Sequence, residues 1–167
     1  MDGNWIKSQY GTPPISIETP KVLLRQESSN KESTIYFYGK NSDAFRINLT
    51  FLEVDKQTNE KKSKEEQEAL LRKIVDFEVK SLEEKGATNL LVQNDTYKTL
   101  DGTETLRLFG SMDLKNGNYF DRYRFVSVIF PLDEVKISLQ IIFLKNDIYG
   151  EQIERRIFDS LEIIRKI

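Results

Sequence analysis

Asp95, Tyr97, Asp101 and Glu104 gather around an Asp101-Gly102 turn and raise the first chemical question, whether two carboxylates could serve as acid and base. Glycoside hydrolysis needs such a pair about 5 Å apart, or roughly 6.5 to 9.5 Å apart, beside a sugar cleft. Period-two alternation puts Asp95 and Tyr97 on one strand face, with Glu104 on the adjacent strand. Acids beside an Asp-Gly turn also keep strand ends soluble, and that reading is the stronger one. Asp113, Asn116, Asn118 and Asp121 place oxygen donors around a second turn, the chemistry calcium prefers. Their spacing fails the EF-hand pattern, because the glycine is Gly117 and the donors do not fall at alternate positions.

The 167 residues include no cysteine and no histidine. The chain therefore cannot assemble a Ser-His-Asp or Cys-His mechanism, a disulfide or a Cys/His zinc site. Its eight glycines form neither a Walker loop nor a Gly-x-Gly-x-x-Gly motif. No cofactor and no metal are expected, and the chain does not read as an enzyme. Asn48-Leu49-Thr50 and Asn94-Asp95-Thr96 fit the glycosylation pattern, a short match that is common by chance.

Aromatic residues are the better pointer to a partner. Tyr36 and Tyr38 project together from one strand, and Tyr119, Phe120 and Tyr123 follow the Asn116-Gly117 turn. Tyrosine buries its ring while its hydroxyl still hydrogen-bonds, which suits an interface. These five residues form the candidate interface; core packing beneath a helix is the competing expectation.

The elements that must position them follow from size and pattern. At 19.5 kDa the chain should bury close to 70% of its open-chain surface, enough for one core. The expected organisation is a flexible arm over 1–14 and a single domain over 15–167. With 25 basic and 27 acidic residues, it has no overall attraction for nucleic acid or an anionic membrane. No run approaches 18 apolar residues, and the opening Met1-Asp2-Gly3-Asn4-Trp5 is no signal peptide. A cytoplasmic protein fits, as does an exported one whose leader, with or without a lipid-attachment cysteine, has been removed.

Ile15-Ser16-Ile17-Glu18-Thr19-Pro20 reads as an edge strand stopped by proline. Thr34 to Tyr38 and Phe45 to Phe51 read as further strands, with Gln26 to Ser33 a polar connection. Ser63-Lys64-Glu65-Glu66 has capping-box spacing and predicts a helix from Lys64 to Lys85, stopped at Gly86. Leu70, Leu71, Ile74, Phe77 and Leu82 should form its buried face, widened by Val75 and Val79. Four strands then span 90–144, with tight turns expected at Asp101-Gly102 and Asn116-Gly117. Ile153, Ile157, Leu161 and Ile164 recur at helical spacing and predict a terminal helix from Glu151 to Lys166.

The resulting order, β-β-β-α-β-β-β-β-α, resembles the PsbP-like superfamily, whose fold is an αβα sandwich around a mainly antiparallel sheet. The resemblance rests on the early strand at 15–20 with Val22-Leu23-Leu24 after it, the helix splitting the strands, the meander over 90–144 and the closing segment 153–163. Its members include the extrinsic photosystem II protein, a yeast nuclear-import factor that binds the Ran GTPase and many small bacterial proteins. These are packing features without a catalytic signature, so no photosystem or Ran-binding residue is carried over. The resemblance implies a binding or assembly factor whose partner is another protein, its identity unknown. The alternatives are a soluble small-molecule or lipid carrier, which would suit the rival helix-grip fold, and a carboxylate-dependent hydrolase.

Overall fold

Alternation along the last two strands of the meander dictates the layering. The computed structural model describes residues 5–10, 15–20, 25–29, 33–38, 45–53, 63–116, 118–130 and 135–164. In strand β9 (Val135–Leu144), Ile137, Leu139, Ile141 and Phe143 are fully buried on one face, and Ile142 is buried on the other. Strand β8 (Tyr119–Phe130) behaves alike, with Val126, Val128 and Phe130 on the first face and Tyr123 and Phe125 on the second. Strands buried on both faces need cover on both sides.

The cover makes an αβα sandwich. Strands β3 (Arg25–Ser29), β4 (Ser33–Tyr38), β5 (Phe45–Glu53), β6 (Thr88–Lys98) and β7 (Glu104–Asn116) join β8 and β9 in one sheet, ordered β3-β4-β5-β9-β8-β7-β6. Every pairing in it is antiparallel. Helix α2 (Ile148–Ser160) lies over one face with a small sheet of β1 (Trp5–Tyr10), β2 (Ile15–Pro20) and β10 (Glu162–Ile163), ordered β1-β2-β10. Ile157, Phe158, Leu161, Ile15 and Ile17 join that face's core. Helix α1 (Lys64–Glu84) serves the opposite face, where Leu82 packs with Met112, Leu114, Tyr123 and Phe125.

Both ends of α1 follow local signals. The Ser63 side chain accepts from the Glu66 N–H at 3.2 Å. At the far end, Gly86 has φ 97°, the Gly86 N–H donates to the Glu83 carbonyl and the Ala87 N–H to Leu82, a Schellman stop. Its buried face differs from expectation. Phe77 is 57% exposed, whereas Glu78 is buried alongside Leu82. The strand residues across the sheet there are polar: Ser127, Gln140 and Asn48 stand in register and hydrogen-bond in a row. Lys85 Nζ donates to Gln140 Oε1 at 3.2 Å, and burial draws its ammonium below the ordinary lysine range. Glu78, rather than Phe77, is buried on α1, and its charge partly offsets the burial of the Lys85 ammonium.

Three strands escape the alternation pattern. Residues 5–10, expected in a flexible arm, form β1, antiparallel to β2 from Trp5↔Pro20 to Tyr10↔Ile15. Residues 25–29, expected to be a polar connection, form the edge strand β3. The chain also leaves the helix early: α2 ends at Ser160, Leu161 is extended at φ −69° and ψ 121°, and Ile163 pairs with Ile15. The cause is tertiary, since the Leu100 N–H donates to the Leu161 carbonyl and Ser160 Oγ accepts from the Glu18 N–H. Ile164 therefore lies beyond the helix, and Arg165 and Lys166 lie outside the described residues. The Asp101-Gly102 turn is also wider than expected, because pairing stops at Lys98↔Glu104.

Two glycines are fixed by close approach. A Cβ on Gly110 would meet the Leu91 carbonyl oxygen where β6 is irregular, and one on Gly150 would meet the Phe143 ring at 2.4 Å. Gly150→Ala should cost about 1 to 3 kcal/mol from overpacking, against a helix-propensity gain of roughly 1 kcal/mol. Leu161→Ala, at a fully buried position, should cost about 2 to 5 kcal/mol. Urea melts check both, and a Leu161→Ala loss below about 0.5 kcal/mol is incompatible with this packing.

Candidate functional site

The larger sheet is wider than the layer of α2, and the difference leaves a groove. Between α2 and strands β6 and β7 lies a space of about 470 Å³, with Tyr97 and Arg107 on the sheet side and Glu151, Glu154, Arg155 and Phe158 on the helix side. Strand register explains the sheet wall. Asp95 stands opposite Arg107, and the guanidinium donates from Nε and Nη2 to the two carboxylate oxygens, at 2.8 and 2.6 Å. That bond holds the Asp95 carboxyl below the usual carboxylate range. The Arg107 guanidinium also lies 5.3 Å from the Tyr97 ring centroid and 5.5 Å from that of Phe109. Tyr97 joins the two walls: its hydroxyl donates to the Phe158 carbonyl at 2.6 Å, and the two rings meet edge to face at 5.3 Å. Burial keeps the Tyr97 phenol above its ordinary range, so it stays a neutral donor. One strand over, Arg124 makes a second two-pronged pair with Glu154 of α2, at 3.1 and 3.0 Å.

The carboxylates around the first turn are separately engaged. Asp95 belongs to Arg107, and Glu104 stands in register with Lys98, 3.9 Å away. Asp101 accepts from the hydroxyls of Thr99 and Thr103 and from the Ile163 N–H, so it holds its own turn and clasps β10. Burial pushes its carboxyl up, but these hydrogen bonds outweigh burial and hold it below the usual range. No carboxylate pair faces another across the hairpin as a general acid and base would.

The second turn resolves similarly. Asp113 is bonded by the Asn89 amide at 2.7 Å and by Arg122 at 3.0 Å, and these bonds hold its carboxyl low. Arg122 bonds Ser111 as well. Among the described residues, no group of three or more Asp or Glu side chains is placed to hold a metal ion. Gly117 lies outside the described residues; Asn116 and Tyr119 pair across it.

Alternation separates the aromatic residues that the sequence brings together. Tyr123 is only 7% exposed and packs with Leu82 and Phe125 under α1, so it is a core residue and not part of a surface. Tyr119 is 78% exposed and Phe120 60%, and the two fall on opposite faces of β8. Phe120 shares the parity of Arg124, on the α2 side. Leu91 of β6 and Tyr149 of α2 are each 64% exposed near that end of the sheet. Tyr36 and Tyr38 of β4 stand opposite Leu49 and Ile47 of β5; the two tyrosine side chains lie outside the described residues. Arg107, Arg124, Leu91 and Tyr149 were not singled out by sequence pattern. The pairing of Asp95 with Arg107 could have been found by reflecting the sequence about Asp101.

No protein-family model and no curated protein matches the sequence. Solved structures match the fold. The Saccharomyces cerevisiae Ran-binding protein Mog1p superposes with a TM-score of 0.52 at 11% identity, over 96% of this chain and 95% of that one. A mutant form of protein Mog1 gives 0.52 at 12% identity, over 98% and 97%. A crystal structure from Bacteroides thetaiotaomicron gives 0.53 at 8% identity, covering 99% of this chain; this chain spans half the length of that protein. The fold is thus similar in shape to the αβα sandwich of Mog1p. At these identities the likeness shows architecture alone.

The Asp101 clasp sets a pH expectation. A carboxyl held low in the folded chain stabilises it fully above the unfolded value, about 4, and loses that contribution as pH falls through the folded value. Melting temperature should hold near neutrality and drop below about pH 4. Asp101→Asn should flatten part of that drop, and amide exchange at Ile163 should quicken. A variant with unchanged Ile163 exchange would separate Asp101 from β10.

Proposed function

We propose that this chain is a non-catalytic protein-binding or assembly factor, docking its partner at the end of the large sheet beside α2. The observation that carries this reading is the placing of Phe120, Leu91 and Tyr149, large apolar groups exposed toward the side where α2 lies. Tyr119, beside Phe120 but on the other face of β8, adds a further exposed ring. Aromatic side chains with a neighbouring arginine, here Arg122 and Arg124, have the composition of interface hot spots. The fold's likeness to a Ran-binding protein supports a protein partner in general terms. Tyr36 and Tyr38 remain candidates for a second contact.

Two observations weigh against the rivals. A carrier needs an enclosed apolar cavity, and the groove beside α2, though of ligand size, is lined by ionised pairs. A hydrolase needs a free acid and base, and the carboxylates of the hairpin are bonded to arginine, threonine and backbone partners.

Photocrosslinking tests the reading. A benzophenone amino acid at position 120 should give one protein adduct in the producing cell, and the same probe at exposed Lys73 of α1 should not. Phe120→Ala should abolish partner capture while changing stability by less than about 0.5 kcal/mol. No adduct at 120, or equal adducts at both positions, would refute it.

A further inference from the structure

Resting on that docking reading, we infer that the partner's contact element is an acidic peptide segment anchored by an apolar side chain. Charge accounting on the α2 side of the sheet leads there. Phe120 stands in register with Lys115, so the exposed ring and the exposed ammonium share a face. Lys145 follows β9 on the neighbouring strand, its N–H donating to the Arg122 carbonyl, and is exposed as well. Of the acids in the same region, three are already committed, while Glu151 and Asp159 stand exposed in the groove along α2. Asp113 holds Arg122, Glu154 holds Arg124, and Asp147 caps α2 by accepting from the Tyr149 N–H at 3.0 Å. Two lysines thus lie beside an exposed aromatic ring, while Asp113, Glu154 and Asp147 are spent on internal partners. A carboxylate-bearing segment would meet unspent positive charge beside an apolar anchor point.

Shape selects a peptide over a membrane. Lys145 of the patch also lines the groove between α2 and β7, which a chain segment can enter and a flat bilayer cannot. Glu151 on the groove's helix wall would repel anionic lipid, whereas a peptide can place its own basic or polar group there. The groove's two internal ion pairs are formed before binding, so an incoming segment need not order them.

The probe is a displayed library of random twelve-residue peptides selected on the immobilised full chain. Enriched peptides should carry Asp or Glu beside an aromatic residue or leucine. Phe120→Ala, and separately Lys115→Glu with Lys145→Glu, should each weaken their binding about tenfold or more, and about 0.5 M salt should do likewise. Lys73→Glu should leave it unchanged. Enriched peptides that are basic or uncharged yet still depend on Phe120 overturn the acidic class and keep the docking surface. Peptides insensitive to all these variants overturn both, as does a selection that enriches nothing. Binding to phosphatidylcholine vesicles containing phosphatidylserine, with no peptide enriched, replaces the proposal with a membrane surface.

Discussion

Strand β9 has to be covered twice, and most of the architecture follows from that requirement. Its odd positions carry Ile137, Leu139, Ile141 and Phe143, fully buried, while Ile142 is buried on the reverse. A single layer would leave one row in water, at a cost of roughly 1.5 to 3 kcal/mol for each large side chain. The two layers solving the problem are unlike. One face receives α2 with the small sheet; the other receives α1, where Leu82 near the helix end joins the core. The tighter layer depends on contacts distant in sequence, among them Arg156 with Glu18 and Leu100 with Leu161.

That division explains what the sequence reveals and what it hides. Features fixed within a few residues are legible: the Ser63 cap, the Gly86 stop and the alternation of 137–143 all match the structure. Helix α1 begins where expected and ends within a residue of expectation. Strands β1, β3 and β10 are hidden because pairing, not pattern, makes them strands. In β1 the exposed Ile6, Lys7 and Gln9 show no alternation, yet pairing with β2 runs from Trp5 to Tyr10. The end of α2 misleads for a related reason, since Ile157 and Leu161 are buried whether the chain past Ser160 coils or extends. Periodicity cannot distinguish those two outcomes. Phe77 and Glu78 show the same limit on α1, where periodicity expects Phe77 inside and the structure buries Glu78.

The candidate site was half legible. Phe120 and Tyr119 stand out as an aromatic pair after a turn, and both are exposed. Tyr123 belongs to the same sequence cluster but is claimed by the core, because an odd position three residues after Phe120 falls on the other face. The groove was invisible in composition. Its walls come from a hairpin register and a helix crossing the sheet, and an arginine reads the same in sequence whether it salts a surface or braces a groove.

The state of its charges bears on what the groove can do. A catalytic acid or base must change protonation during turnover, and it gains from an environment that moves its pKa toward neutrality. Asp95 is moved the other way, held low by a guanidinium that grips both its oxygens, and Tyr97 is held high as a neutral donor. Both shifts fix a protonation state. Arg107, braced against Asp95 and two aromatic rings, is likewise held in place. Groups locked in charge and position are poorly suited to proton transfer and well suited to presenting an unchanging surface, since a partner then pays little to order them.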